Sequence, residues 1–238
     1  MSALGGDSGI QLALPFAHRP AFGGEDFWVA PSNADAIAWI DRWRQWSHPV
    51  LVIHGPPGCG KTHLGQVFLA AAEGEGIAVS ELADCDIVRL AARPAVLVED
   101  ADRISGPGGE HQLFHLHNRI VEAQGRLLLT ARTVPARWPI ALPDLASRMR
   151  AAPSVAIGAP DQTLIGALLV KLFADHQVRV DPAVVSYLAL RMERSFEAAR
   201  RIVSAMDAAA LAEGRPITIP LVAEVLARLP AESDQSSS

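Results

Sequence analysis

Gly55-Pro56-Pro57-Gly58-Cys59-Gly60-Lys61-Thr62 matches G-x-x-x-x-G-K-[ST] at every fixed position. Its flanks decide how the match is read. Val50-Leu51-Val52-Ile53 is a short apolar run of the kind that makes a buried strand. His63-Leu64-Gly65-Gln66-Val67-Phe68-Leu69-Ala70 carries apolar residues at helical spacing. Strand, glycine loop and helix start together bring main-chain N–H groups and the positive end of a helix dipole around one anion. Gly55, Pro56, Pro57, Gly58, Cys59 and Gly60 are then the phosphate cradle, with His63 just beyond it. Lys61 reaches the β- and γ-phosphates, and Thr62 holds Mg²⁺ through its hydroxyl. The expected class is α/β.

Further strands are expected at Ile77-Ala78-Val79, Ala95-Val96-Leu97-Val98, Leu127-Leu128-Leu129 and Val155-Ala156-Ile157. The second of these runs into Glu99-Asp100. A buried strand that delivers acids at its C-terminal edge does the work of a Walker B segment: one acid (Glu99) for the metal, the other (Asp100) to polarise water. Thr130 ends the third run; that placement resembles the sensor-1 position, where a polar side chain orients water near the γ-phosphate, and a threonine that simply ends the strand is the alternative. A helix is expected over 34–46, capped by Ser32 or Asn33, with Trp39, Trp43 and Trp46 as packing residues. A turn-rich loop is expected over 102–109 and a helix over 110–123. His111 and His115 on that helix have i, i+4 spacing, but no acid or cysteine near them in sequence completes a metal site. After Pro160 the strand runs vanish. Helices are expected over 161–177, 181–191, 195–212 and 221–229, with Asp161 and Asp181 as caps and Pro182 in a first turn.

The 238 residues carry a formal net charge of −5 and are 50% hydrophobic, enough to bury a core. An acidic balance argues against a protein that coats nucleic acid, which needs a basic face. The cysteines are Cys59 and Cys85. A disulfide through the phosphate loop would stiffen it, so both are read as reduced thiols and the compartment as cytoplasmic. No apolar run is long enough to span a bilayer.

Near the N-terminus, Gln11-Leu12-Ala13-Leu14-Pro15-Phe16 alternates apolar residues around a proline that favours extended backbone. It resembles the Q-L-x-L-[P]-F peptide by which bacterial replication proteins bind the sliding clamp. Gln11 would hydrogen-bond in the clamp pocket. Leu12, Leu14, Pro15 and Phe16 supply the apolar part, with Leu14 and Phe16 the main anchors.

From Gln11 to Leu229 the chain resembles the DnaA-related AAA+ proteins, and most closely the Hda type, which lacks the initiator's DNA-binding domain. The segments carrying the likeness are 11–16, 27–33, 55–62, Glu99-Asp100, Leu145-Ala146-Ser147-Arg148 and the C-terminal helices. The resemblance implies an AAA+ P-loop αβα sandwich with a parallel five-stranded sheet in the order 5-1-4-3-2, followed by a small all-α lid. The implied units are a tail with the clamp peptide (1–26), the nucleotide-binding domain (27–159), the lid (160–230) and a polar tail (231–238). Val29 and Ala30 fall where the family lines its adenine pocket, and the implied ligands are ADP or ATP with Mg²⁺. Arg148 falls in the arginine-finger region, where an arginine reaches the nucleotide of a neighbouring protomer.

The implied partners are the sliding clamp (the β subunit of DNA polymerase III) and the initiator DnaA, with little direct DNA binding. The implied task is to promote hydrolysis of DnaA-bound ATP and so restrain initiation. Two positions depart from the family. The Walker B pair begins with Glu99 rather than aspartate. On the register that the resemblance implies, Glu197 stands where an arginine normally contacts the phosphates, and Arg200, one turn on, is the alternative occupant of that place. Both imply weak ATP hydrolysis by the chain itself and a structural role for bound ADP. An autonomous AAA+ ATPase, such as a helicase loader, is the alternative, and homodimer formation is left open.

Overall fold

The computed structural model describes residues 18–20 and 26–228, with side chains from residue 29 onward. The clamp-like peptide Gln11–Phe16 and the tail 231–238 lie outside the described residues. A short antiparallel pair, His18–Pro20 (β1) and Asp26–Trp28 (β2), comes first.

The phosphate-loop strand is Val50–His54 (β3), and the sheet forms around it. The others are Glu75–Ala78 (β4), Ala95–Glu99 (β5), Arg126–Ala131 (β6) and Ser154–Ala156 (β7). They run parallel in the order β4-β5-β6-β3-β7. Counting these five strands from β3 as the first, that is the expected 5-1-4-3-2 order. The strand runs are apolar throughout because both faces of the sheet are covered. Alternation sorts them: Val50, Val52, Val96, Val98, Leu127 and Leu129 face one core, and Leu51, Ile53, Leu97 and Leu128 the other.

The second core is closed by Ala34–Asp41 (α1) and Lys61–Ala72 (α2). Trp46 stacks on Phe68 of α2 with ring centroids 5.5 Å apart, and Trp43 meets the same ring edge-on at 6.0 Å. The tryptophans are thus packing residues, as expected. The helix expected over 34–46 divides at Asp41, and a 3₁₀ turn, Trp43–Gln45, completes it. The Trp46 indole N–H donates to the Trp39 carbonyl at 2.8 Å, which draws the chain inward there.

The first core is closed by Ile87–Ala91 (α3), Gly106–Glu122 (α4) and Pro143–Ala151 (α5). The sequence reading had a loop where α4 begins; Ser105 and Pro107 instead open that helix at Gly106. It also carried β4 to Val79. That residue turns into a 3₁₀ segment, Val79–Asp84, and buries itself in the first core.

The C-terminal unit has its own core, built from Gln162–Asp175 (α6), Pro182–Arg191 (α7), Phe196–Glu213 (α8) and Ile219–Arg228 (α9). Asp161, Asp181 and Ser195 cap the first three, accepting from the N–H groups of Leu164, Ala183 and Ala198. Each such cap is worth about 1 kcal/mol. Among the described residues, no helix is long and apolar enough to cross a membrane.

Candidate functional site

In this sheet order the chain leaves β3 toward one side through α2 and returns to its other side at β7. Loops therefore diverge above the C-terminal end of β3, which makes a crevice where ligands bind in such sheets. Residues 55–60 fill that position. The Gly55 N–H donates to the Ala131 carbonyl at 3.1 Å, fastening the loop to the end of β6. Gly58 and Gly60 turn the chain with φ of 66° and 101°, a region that favours glycine. Gly60 then caps α2, so the free N–H groups of the first turn of that helix open toward the loop.

Lys61 lies at the start of α2 and is buried. Its Nζ donates to the Gly55 carbonyl at 2.8 Å and the Pro56 carbonyl at 2.9 Å. The buried Cys59 thiol lies 3.8 Å from Nζ; burial pushes its pKa up, and the lysine charge opposes that. His54 is held below its ordinary value by burial and by the same charge. Thr62 is exposed in the first turn of α2 beside the half-buried His63. Val29 packs against the core that contains Cys59 and Ile157. Buried Ala30 is fixed by its N–H, which donates to Asn33 Oδ1 at 2.8 Å.

The acids arrive on the neighbouring strand. Glu99 ends β5, and its Oε1 is buried with no hydrogen-bond partner. A buried carboxylate oxygen left this way is costly and suits a cation ligand. Asp100 has left the strand at φ 54° and pairs with Arg103 at 3.7 Å. Its N–H donates to the hydroxyl of the buried Thr130 at 3.3 Å, so the ends of β5 and β6 are tied together. Asp102, which the sequence reading passed over, accepts from the Arg132 N–H at 3.0 Å and fixes the chain just after Thr130. The phosphate loop, Glu99, Asp100 and Thr130 thus share one sheet edge. Among the described residues, no group of three or more His, Cys, Asp or Glu side chains forms a metal cluster, and His111 Nδ1 is engaged with the Pro107 carbonyl.

Arg148 lies elsewhere. It is in the last turn of α5, and its guanidinium is held by α4. Nη1 donates to Asn118 Oδ1 at 2.5 Å and to His117 Nδ1 at 3.1 Å, and the group sits 4.8 Å over the Phe114 ring. The buried His117 is pushed down to a pKa of about 4, first by burial and then by the Arg148 charge.

The C-terminal unit touches the phosphate loop directly. The Phe196 N–H donates to the Gly58 carbonyl at 2.9 Å. Ser195 occupies the space where a side chain at position 58 would go, and the Phe196 ring lies over Gly60. Glu197 and Arg200 are both exposed on α8. The contact residues Ser195 and Phe196 escaped the sequence reading, which looked to Glu197 and Arg200. The one local signal is a serine placed to cap an apolar helix.

Residues 167–226 match the family model for the Hda lid domain. Over those residues the C-terminal unit is similar to the Hda lid domain. Domain III of the Thermotoga maritima replication initiation protein DnaA superposes with a TM-score of 0.73 at 17% identity, over 85% of this chain and 94% of that one. AMPPCP-bound DnaA from Aquifex aeolicus gives 0.65 at 16% identity, over 82% of this chain and 66% of that one. The FIGL-1 AAA domain in complex with ADP gives 0.64 at 12% identity, over 87% and 84%. At these identities the likeness is one of fold. The chain has a DnaA-like AAA+ fold, and its C-terminal helical unit meets the phosphate loop through Ser195 and Phe196.

Proposed function

We propose that this protein is an adenine-nucleotide-binding regulator of replication initiation, which docks on the sliding clamp and promotes hydrolysis of the ATP held by DnaA. The observation that carries the reading is the union of an Hda lid with a DnaA-like AAA+ body that has a complete phosphate loop. Solved relatives of that fold hold AMPPCP or ADP. Here residues 55–60 would wrap the phosphates, and Lys61 would exchange its loop carbonyls for phosphate oxygens. Val29 and Ala30 would border the base. The Thr62 hydroxyl and the Glu99 carboxylate would hold Mg²⁺, which supplies charge neutralisation at the phosphates. Asp100 and Thr130 close the same edge.

Arg148 is the residue proposed to act on the partner's nucleotide. Its bonds run to α4 and not to its own phosphate loop, which suits a group that serves another molecule. A guanidinium suits the task, being always charged and presenting a planar fork of donors. Gln11, Leu12, Leu14, Pro15 and Phe16 are the proposed clamp anchor. Glu197 follows the Phe196 that touches the phosphate loop; a carboxylate turned toward the phosphates there would disfavour a triphosphate and fit weak turnover by the chain alone.

The test measures hydrolysis of DnaA-bound ATP with clamp loaded on DNA. Wild type should stimulate it. Arg148→Ala should lose at least about a thousandfold, the lower end of the range of arginine-finger effects. Gln11→Ala with Phe16→Ala should lose both stimulation and clamp capture. Stimulation by Arg148→Ala equal to wild type would remove the finger from the proposal.

A further inference from the structure

At the edge of the sheet opposite the phosphate loop, three turns meet around a recess of about 470 Å³. They are the 3₁₀ turn after α1, the turn from α3 into β5, and the turn from α4 into β6. Arg44, Arg93 and Arg126 line the recess, together with Trp43, and no carboxylate does. In a chain with five more acids than bases, that local imbalance stands out as charge complementarity waiting for an anion.

The three arginines are held differently. Arg126 is the fixed floor: Nε donates to the Trp43 carbonyl at 3.2 Å, Nη1 to Gln124 and Gly125 at 3.1 and 3.0 Å, and Nη2 to Arg44 at 3.4 Å. It neutralises carbonyls at the turn ends that would otherwise repel an anion. Arg44 lies over the Trp43 ring, 4.3 Å from its centroid, so the guanidinium is spread on an indole with its edge toward solvent. Arg93 leans on Glu75 at 3.0 Å, a carboxylate that also takes Arg89. A preorganised guanidinium on an aromatic face matches a carboxylate in two parallel hydrogen bonds.

We infer that this recess is a docking site for an acidic segment of a partner protein. A protein fits better than a nucleic acid on two grounds. The cationic surface is a single pit, whereas nucleic acid is tracked by a stripe or face of bases. The recess also presents Trp43, Ala91, Ala92, Pro94 and Ala123, which offer apolar contact beside the charges. Tryptophan and arginine are also the side chains that most often anchor protein interfaces. The recess is separated from the phosphate loop by the length of the sheet, so its occupant does not compete with nucleotide. The inference stands apart from the proposed function.

The experiment titrates full-length protein with a fluorescent peptide of eight glutamates and follows anisotropy at low and moderate salt. The comparison is the double variant Arg44→Ala, Arg93→Ala, which leaves Arg126 and the Arg89–Glu75 pair in place. Wild type should bind, more weakly as salt rises, and the double variant should bind at least tenfold more weakly. Its melting temperature and nucleotide content should be unchanged. No binding, or equal binding by the double variant, overturns the inference. So does tighter binding of an eight-nucleotide oligothymidylate with the same arginine dependence, because the site would then belong to nucleic acid.

Discussion

Gly58→Ala tests the joint between lid and phosphate loop. Gly58 has φ 66°, and an alanine there costs about 1–2 kcal/mol for its left-handed backbone. The new methyl would also fall on Ser195: 2.9 Å from its Oγ, closer still to its Cβ, and 3.5 Å from its Cα. Either the loop or the start of α8 must then move, and the Phe196-to-Gly58 main-chain bond at 2.9 Å is strained with them. Overpacking of this kind costs about 1–3 kcal/mol. The single variant should therefore lose about 2–5 kcal/mol, the sum of the two. Ser195→Gly separates them. It removes the two atoms in collision and leaves the Cα at an ordinary distance. As an N-cap change from serine to glycine it costs only a few tenths of a kcal/mol. The double variant should recover the overpacking part, about 1–3 kcal/mol, and keep the backbone part. Urea unfolding of the four proteins, read as a double-mutant cycle, measures the coupling directly. A Gly58→Ala protein as stable as wild type, or energies that simply add to within about 0.5 kcal/mol, would refute the contact.

Trp46→Ala removes the ring stacked on Phe68 and should cost about 3–5 kcal/mol in denaturant unfolding; a loss under about 1 kcal/mol would mean the ring is not core. His117 should titrate by NMR near 4, and a midpoint at the ordinary 6.5 would contradict its burial beside Arg148. Its folded pKa is depressed, so the unfolded chain takes up a proton between 6.5 and 4 that the folded chain refuses. Its contribution is therefore fully present above 6.5, is lost as pH falls toward 4, and changes no further below that. Hydrogen exchange at the start of α8 should slow when nucleotide fills the loop, because Phe196 bonds to Gly58; protection that ignores nucleotide would show the lid uncoupled.

The sheet was legible because its strands are local signals. Each apolar run is bounded by proline, glycine, or a polar or charged residue, and a parallel sheet buried on both faces demands such runs. The edge at which Glu99 and Thr130 meet the loop followed from those runs alone. What escaped was decided by tertiary contact. Val79 has strand propensity, yet its side chain is worth more in the first core than in a longer edge strand. Helix α5 is short and polar in composition, and Leu145 and Met149 hold it by burial against the sheet. Ser195 reads locally as a cap, which it is. That it also faces Gly58 depends on how two separate cores are set together, and no local pattern encodes that.

Two charges in this molecule sit where self-contained ATP hydrolysis would not want them. Glu197 lies in the first turn of α8, next to the Phe196 whose N–H bonds to the phosphate loop, and on the proposed reading it stands where an arginine would serve a triphosphate. Arg148 is bound to Asn118 and His117 of α4, away from its own loop. The lid nevertheless stays in place, because its hold on the loop is made of a main-chain hydrogen bond and the fit of Ser195 to a glycine. Neither depends on a charged side chain, so the contact holds whatever charge position 197 carries. A nucleotide is then free to act as a structural ligand: it orders the loop, the loop orders the lid, and no bond need be broken on its own phosphates. On the proposed reading that division of labour is a regulator's and not a motor's, with Arg148 acting on the nucleotide of another molecule.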